Sequence, residues 1–449
     1  MRLACPAALL ATTMLCLPAT AHAQAMTAEE ASALRAELAA LRTQVERLEA
    51  RLDAADAGSP GASPSASATA PAASAAPVTT WKGAPEIGNA DGWSFKPRGR
   101  VQIDVAGIDT PGATGNRGGI GSEFRRVYLG VDGKIPGGFS YRVEADLANG
   151  SVELTDVYLT YGPGPLSVTA GQVKPFWSLD EMTSDLFTSV MERAAFTQAF
   201  GFERRLGLSA QYKGKAFLAQ AGVFGDNAND LLDDANNSFG VDGRAVWMPK
   251  FGDTQLHLGG SAHWRDFNDS AATTRYRARP FAHTTDVRLV DTGAIAATGE
   301  RGLGLEAALL SGPFHAAGET FWQTVRRPGL PDPTFFGGYA EVGMVLTGDS
   351  RTYKDGAFDR LKPSSPITAG GIGAFEVNAR YDHLDLNDAG IVGGRQKAAL
   401  IGLVWAPIDY VRITANYGRL WIDDARIATA AGDRDYSADT FGLRTQIDF

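Results

Sequence analysis

Thr440-Phe-Gly-Leu-Arg-Thr-Gln-Ile-Asp-Phe449 decides how the rest of the chain is read. Phe441, Leu443, Thr445, Ile447 and Phe449 fall on one face of an extended segment, and Thr440, Gly442, Arg444, Gln446 and Asp448 fall on the other. Period-two alternation marks a strand whose faces meet different media. A soluble core would accept such an apolar face, and so would lipid, so the neighbouring sequence has to choose between them.

The first residues supply the compartment. Arg2 is the only charge before an apolar run from Leu3 to Leu17, and Ala21-His22-Ala23 forms a small-x-small cleavage site. Residues 1–23 are read as a secretory signal peptide. Cys5 and Cys16 are the only cysteines and both lie in that leader, so the exported chain has no disulfide to rely on. No later stretch approaches the ~18 uninterrupted apolar residues of a membrane helix. A net charge of -9 argues against a nucleic-acid partner. In an exported chain, a strand completed by Phe449 resembles the closing strand of a bacterial outer-membrane barrel, with Phe449 as the assembly signal read by the barrel-insertion machinery.

Three segments follow the leader. Leu34, Leu38, Leu41, Val45, Leu48 and Leu52 follow a 3-4 spacing, so residues 27–56 read as a coiled-coil helix and these six as its trimerisation seam. Seam residues of this kind accept two, three or four strands; a parallel homotrimer is the reading adopted. Residues 57–80 are almost wholly Ala, Ser, Pro, Gly and Thr and read as a linker. From residue 81 to 449 the chain turns into short alternating segments punctuated by Gly and Pro.

Sixteen strands are expected there, beginning near Trp93, Glu123, Phe139, Glu153, Pro165, Arg204, Lys215, Gly240, Thr254, Gly302, Pro313, Gly337, Gly373, Gln396, Asp409 and Ser437. Val101, Ile103 and Val105 alternate with Arg100, Gln102 and Asp104, a charged inner face that suits a wet lumen. Tight turns such as Gly162-Pro163-Gly164 alternate with long polar loops such as Asp226 to Ser238. The fold class is therefore all-β, a transmembrane antiparallel β-barrel of the Gram-negative outer membrane in contact with its lipid. The even strand number puts both ends, and the N-terminal helix, in the periplasm, where peptidoglycan is a candidate partner.

Several words in this region resemble the phosphate-selective porin O and P family. They are Gly171-Gln-Val-Lys-Pro-Phe-Trp-Ser-Leu-Asp-Glu-Met-Thr-Ser184 with Met191-Glu-Arg193, Leu346-Thr-Gly-Asp-Ser-Arg-Thr-Tyr-Lys-Asp-Gly-Ala-Phe358, Ala379-Arg-Tyr-Asp-His-Leu-Asp-Leu-Asn387 and Gly393-Gly-Arg-Gln396. The resemblance runs in family order from about Trp93 to Phe449. It implies a trimer with one pore per subunit. It also implies that a third outer loop (Lys174 to Glu203), a fifth outer loop (Asp266 to Arg301) and a long turn (Asp349 to Ile372) fold into the lumen.

Anion passage requires fixed positive charge in the pore. The pore-lining candidates are Lys96, Arg98 and Arg100 at two-residue spacing on the first strand, and Arg275, Arg277 and Arg279 at the same spacing in the fifth loop. Arg126, Arg142 and Arg380 lie on inward faces, as do Arg205, Arg412 and Arg444, and Arg351 and Lys354 lie on the long turn. The expected function is a passive channel for small anions including phosphate or polyphosphate. The alternative is a weakly selective general porin whose coiled coil tethers the membrane to peptidoglycan. The third loop holds two basic residues, Lys174 and Arg193, against five acids, Asp180, Glu181, Asp185, Glu192 and Glu203, which argues against strict phosphate specificity. His257 and His263 share one strand face but stand about 20 Å apart, so no metal site or other cofactor is assigned. No motif places a catalytic Ser-His pair, and no enzyme activity is expected.

Overall fold

The structure, a computed structural model, describes residues 77–114, 119–230, 237–269 and 272–449. The leader, the heptad helix and all but the last few linker residues lie outside the described residues. Sixteen antiparallel strands form the wall: β1 (Ser94–Asp109), β2 (Gly119–Ile135), β3 (Phe139–Asp146), β4 (Glu153–Tyr161), β5 (Leu166–Val173), β6 (Arg205–Lys213), β7 (Phe217–Phe224) and β8 (Phe239–Trp247), then β9 (Thr254–Asp266), β10 (Gly299–Ser311), β11 (Phe314–Arg326), β12 (Thr334–Val345), β13 (Ala374–Asp388), β14 (Ile391–Ile408), β15 (Val411–Asp423) and β16 (Tyr436–Asp448). Each strand pairs with the next, and β16 pairs with β1 from Asp439 opposite Asp109 to Asp448 opposite Arg100. Closure leaves no free edge, the condition for a sheet to survive in lipid.

Alternation sets the two surfaces. On β16, Leu443 is 46% exposed and Arg444 only 3%, which puts the leucine on the outer surface and the guanidinium inside. Connections of two to six residues lie along one rim and connections of six residues or more along the other. Two connections break this rule. Residues 346–373 form a long turn on the short rim, as the family resemblance implies, while β13 and β14 are joined at the loop rim by residues 389–390 alone. These two strands run to 15 and 18 residues, so their hairpin itself projects where a loop would stand.

Polar residues do not line the whole interior. Along β10 to β14, Phe321, Phe335, Tyr339, Leu384 and Leu400 point inward and are buried with Trp177, Phe196, Phe200 and Phe202 of the third loop and Phe281 and Leu289 of the fifth. Trp177 meets Phe321 edge-on with centroids 5.2 Å apart. Each such ring contributes about 1.5–3 kcal/mol by burial, so the two loops are bound to this half of the wall as a core. The expectation of a wet lumen holds only for the half formed by β1 to β7. In the other half the loops fill most of the space, and charged side chains such as Glu306, Glu341 and Asp382 are buried there among the apolar ones.

Candidate functional site

The third loop, residues 174–204, crosses the barrel and is pinned by carboxylates of the wall. Its short helices α1 (Leu179–Met182) and α2 (Ala195–Phe200) start with N–H groups that have no intrahelical acceptor. Glu319 of β11 accepts from Leu179 N at 2.7 Å and Asp180 N at 2.6 Å. Asp382 of β13 accepts from Ala195 N at 3.0 Å. Asn416 of β15 accepts from Met191 N at 3.2 Å. The long turn braces the same loop. Arg351 donates to Ser189 and to the Phe187 carbonyl, and Phe358 N donates to Thr183 Oγ1 at 3.3 Å. The fifth loop reaches β1 and β2, where Thr284 Oγ1 donates to the Ala106 carbonyl at 2.8 Å and His283 meets Glu123 at 2.9 Å.

Between the third loop and the wall of β1 to β7 lies a cavity of about 970 Å³. Ten basic side chains face it: Lys96, Arg98, Arg100, Arg125, Arg126, Arg142, Lys174, Arg193, Arg204 and Arg360. Seven acids face it as well: Asp132, Asp156, Glu181, Asp185, Glu192, Glu203 and Asp448. The ladder on β1 is thus present, but its arginines are partnered. Arg98 reaches Asp132 and Glu144 at 2.9 Å each, and Arg100 pairs with Asp185 and lies over the Tyr128 ring at 4.6 Å. Arg126 holds Asp185 at 2.6 Å, and Arg142 holds Asp132 at 2.7 Å. Lys96 is the one lining cation without a carboxylate partner among the described residues.

Two of the third loop's acids, Asp185 and Glu192, anchor it to arginines of β1, β2 and β16. Burial pushes the Asp185 carboxyl up, but Arg100 and Arg126 outweigh burial and hold it well below the usual carboxylate range. Glu192 is treated likewise by Arg125 and Arg444, and stays below that range despite its burial. Glu181 sits between Lys174 at 2.6 Å and Arg193 at 2.8 Å. These three acids are therefore spent on basic partners, and the cavity as a whole keeps a surplus of positive charge.

Other sequence candidates stand outside that lining. Arg275 pairs with Asp291 and borders a separate cavity of about 220 Å³ with Arg205. Arg277 and Arg279 lie on or beside a short strand of the fifth loop (Arg277–Ala278), with Arg279 on Asp286 at 3.2 Å. Arg380 is buried between Glu341 at 2.8 Å and Asp180 at 3.6 Å, and Arg351 between Glu376 at 3.6 Å and Glu341 at 3.8 Å. Both brace the loops because the filled half of the barrel gives them no open space. Lys354 is exposed on the turn strand Thr352–Lys354. Arg412 donates to the Leu186 carbonyl at 2.7 Å, and Arg444 pairs with Asp104 and Glu192 at 2.7 Å each. Of the histidines set aside as ligands, His263 meets Asp242 and His257 meets Tyr353, each at 2.6 Å.

Arg125 is a lining residue that strict alternation conceals. Gln102 pairs with Arg126 while Ile103 pairs with Phe124, so Arg125 is the extra residue of a bulge and turns inward beside Arg126. The sequence carries a trace of this, because outward apolar residues change phase from Phe124 to Val127 and Leu129.

Residues 95–449 match the family described as phosphate-selective porin O and P. The chain belongs to that family. This porin is 29% identical over 419 residues to Porin O of Pseudomonas aeruginosa, covering 83% of this chain and 92% of that protein. It is 48% identical over 382 residues to an uncharacterized protein of Caulobacter vibrioides, covering 82% and 77% respectively. Among solved structures, an anion-selective porin from Comamonas acidovorans aligns over 80% of this chain and 100% of its own, with a TM-score of 0.51 at 13% identity, a likeness of fold. The chain is accordingly an outer-membrane porin, a channel and not an enzyme.

Proposed function

We propose that this porin is a passive channel preferring small anions, with phosphate and short polyphosphate among them. The observation that carries this reading is the lining of the cavity, with ten basic side chains against seven acidic ones. A pore wall of this sign lowers the cost of dehydrating an anion. The carboxylate partners of Arg98, Arg100, Arg126 and Arg142 temper the field. The proposed preference is therefore graded, not the strict exclusion of cations. The test is the reversal potential of single reconstituted channels in a salt gradient, with phosphate competition. Anions should carry most of the current and phosphate should reduce the chloride conductance. A cation-dominated current that phosphate leaves unchanged would sink the reading.

The assembly is proposed as a homotrimer. Strands β3 to β8 have eight or nine residues each, at or below the about nine to eleven that a tilted strand needs to cross hydrocarbon. The wall's strand tryptophans, Trp247, Trp264, Trp322, Trp405 and Trp421, all lie on β8 to β15. A subunit contact along β3 to β7 and a lipid-facing arc from β8 to β15, with the nine-residue β8 at the boundary, account for both facts. The Leu34-to-Leu52 seam is proposed to hold the same three chains in the periplasm, and Phe449 to act as the assembly signal. Deleting residues 24–80 tests the tether to peptidoglycan. Weakened envelope with intact conductance is expected, and unchanged envelope mechanics would remove the tether.

A further inference from the structure

The outer surface carries a groove that the pore does not use. On β8 and β9 four successive outward positions are small: Gly243 pairs with Ala262, and Ala245 with Gly260. Across the next pairing, Leu303 and Leu305 of β10 stand beside Ala262 and Gly260, exposed at 62% and 60%. The result is an apolar trough of about 610 Å³ with Trp322 at its side. Small residues alone would say nothing about an occupant. These strands span the membrane of an outer-membrane porin, however, so the medium outside them is lipid.

One rung toward the long-loop rim, Trp264 pairs with Arg301. Arg301 points outward, as its alternation with buried Glu300 and Gly302 requires. It makes no ion pair with any described residue. The charged groups around it are already matched to one another. Asp266 holds Arg326 at 2.6 Å. Glu300 faces inward to His263 at 3.4 Å, and Arg265 turns to Asp226. An unmatched guanidinium beside an interfacial tryptophan, at the top of a membrane-facing trough, calls for a phosphate oxygen as its partner. From Arg301 to Leu305 the strand advances about 13 Å, enough for the upper part of one acyl chain to lie in the trough.

We propose that this face is a binding site for an anionic lipid of the outer leaflet, its phosphate on Arg301 and one acyl chain along Gly243, Ala245, Gly260 and Ala262. The selectivity comes from the headgroup, and the trough fixes the chain's position.

The full-length porin, reconstituted in phosphatidylcholine vesicles, tests this with a minor fraction of either phosphatidylglycerol or phosphatidylcholine brominated on the acyl chains. The fluorescence of Trp264 is isolated by difference from a Trp264→Phe variant. Stronger quenching by the brominated phosphatidylglycerol is expected. Arg301→Gln should lower that lipid's enrichment about fivefold, since a basic residue at an anionic surface is worth about 1 kcal/mol, and Arg301→Lys should retain most of it. Ala262→Leu, which fills the trough from the lipid side, should reduce quenching with Arg301 in place. Folding of each variant is checked by heat-modifiable mobility. Equal quenching by the two lipids, or a preference that survives Arg301→Gln, overturns the proposal. Quenching by neither lipid also overturns it and assigns the trough to a second copy of the chain.

Discussion

Gly99 on β1 and Phe449 at the end of β16 are locked together at the closing seam, the N–H of each donating to the other's carbonyl at 3.1 and 3.0 Å. The phenyl ring covers Gly99 so closely that a Cβ there would stand 2.4 Å from Cζ. The ring's seat therefore exists only because residue 99 has no side chain. Gly99→Val should force the ring off the seam at about 1–3 kcal/mol, the usual cost of overpacking. A smaller heat-modifiable, folded fraction is the expected readout. In a Phe449→Ala background the same substitution should cost little more. If Gly99→Val assembles as well as the parent, the contact does not guide closure.

Asp185 is held by two arginines of the opposite wall, Arg100 and Arg126. Asp185→Asn should release Arg126, leave Arg100 with Glu144 alone at 3.5 Å, and raise the anion-to-cation permeability ratio. One unit charge a few ångström from the ion path is worth about 1 kcal/mol in water, hence a change of about fivefold. Lys96→Gln should move the ratio the other way, because it removes the lining cation that has no carboxylate partner. Reversal potentials in a salt gradient measure both. A ratio unmoved by either variant would place the selectivity elsewhere in the pore.

Glu319 anchors the third loop through the N–H groups of Leu179 and Asp180 and accepts the Tyr339 hydroxyl at 3.0 Å. Glu319→Ala leaves those donors buried and unmet, at about 1–3 kcal/mol each. The loop should then move, and single-channel records should show added noise and sub-conductance steps. Glu319→Gln keeps one carbonyl oxygen and should give an intermediate record. A quiet channel in the alanine variant would mean that the aromatic core around Trp177 suffices to hold the loop.

The wall was legible because each strand separates two media. All sixteen expected starts fall within five residues of a strand's first residue. Local chemistry was legible too, as in Lys96, Arg98 and Arg100. The loop-filled half of the lumen was not. Residues such as Leu384 and Leu400 read as strand positions of either face, and their burial depends on Phe196, Phe200 and Phe281 arriving from loops. The pairing of Arg100 with Asp185, 85 positions away, is equally a product of the folded loop, and so the loop's acids looked like a negative constriction when counted by themselves. Arg125 was hidden by a bulge, which shifts the phase of alternation by one residue.

Lys174 gives the pore a pH response in the alkaline direction. Burial lowers its ammonium to about 8, with Arg193 and Arg204 adding to the effect and Glu181 opposing it. A lysine is cationic below its pKa and neutral above it, so the cavity loses one positive charge as pH rises through about 8. The nearby acids do not compensate, since Glu181, Asp185 and Glu192 all lie below the ordinary carboxylate range and remain charged. Anion preference should therefore fall between roughly pH 7 and 9 and stay level from there down to the ordinary carboxylate range. Lys174→Arg, which keeps its charge throughout, should flatten the alkaline step without lowering the preference at neutral pH. Reversal potentials recorded across that range decide it: a level profile in the parent, or a step that persists in Lys174→Arg, would assign the response to another group.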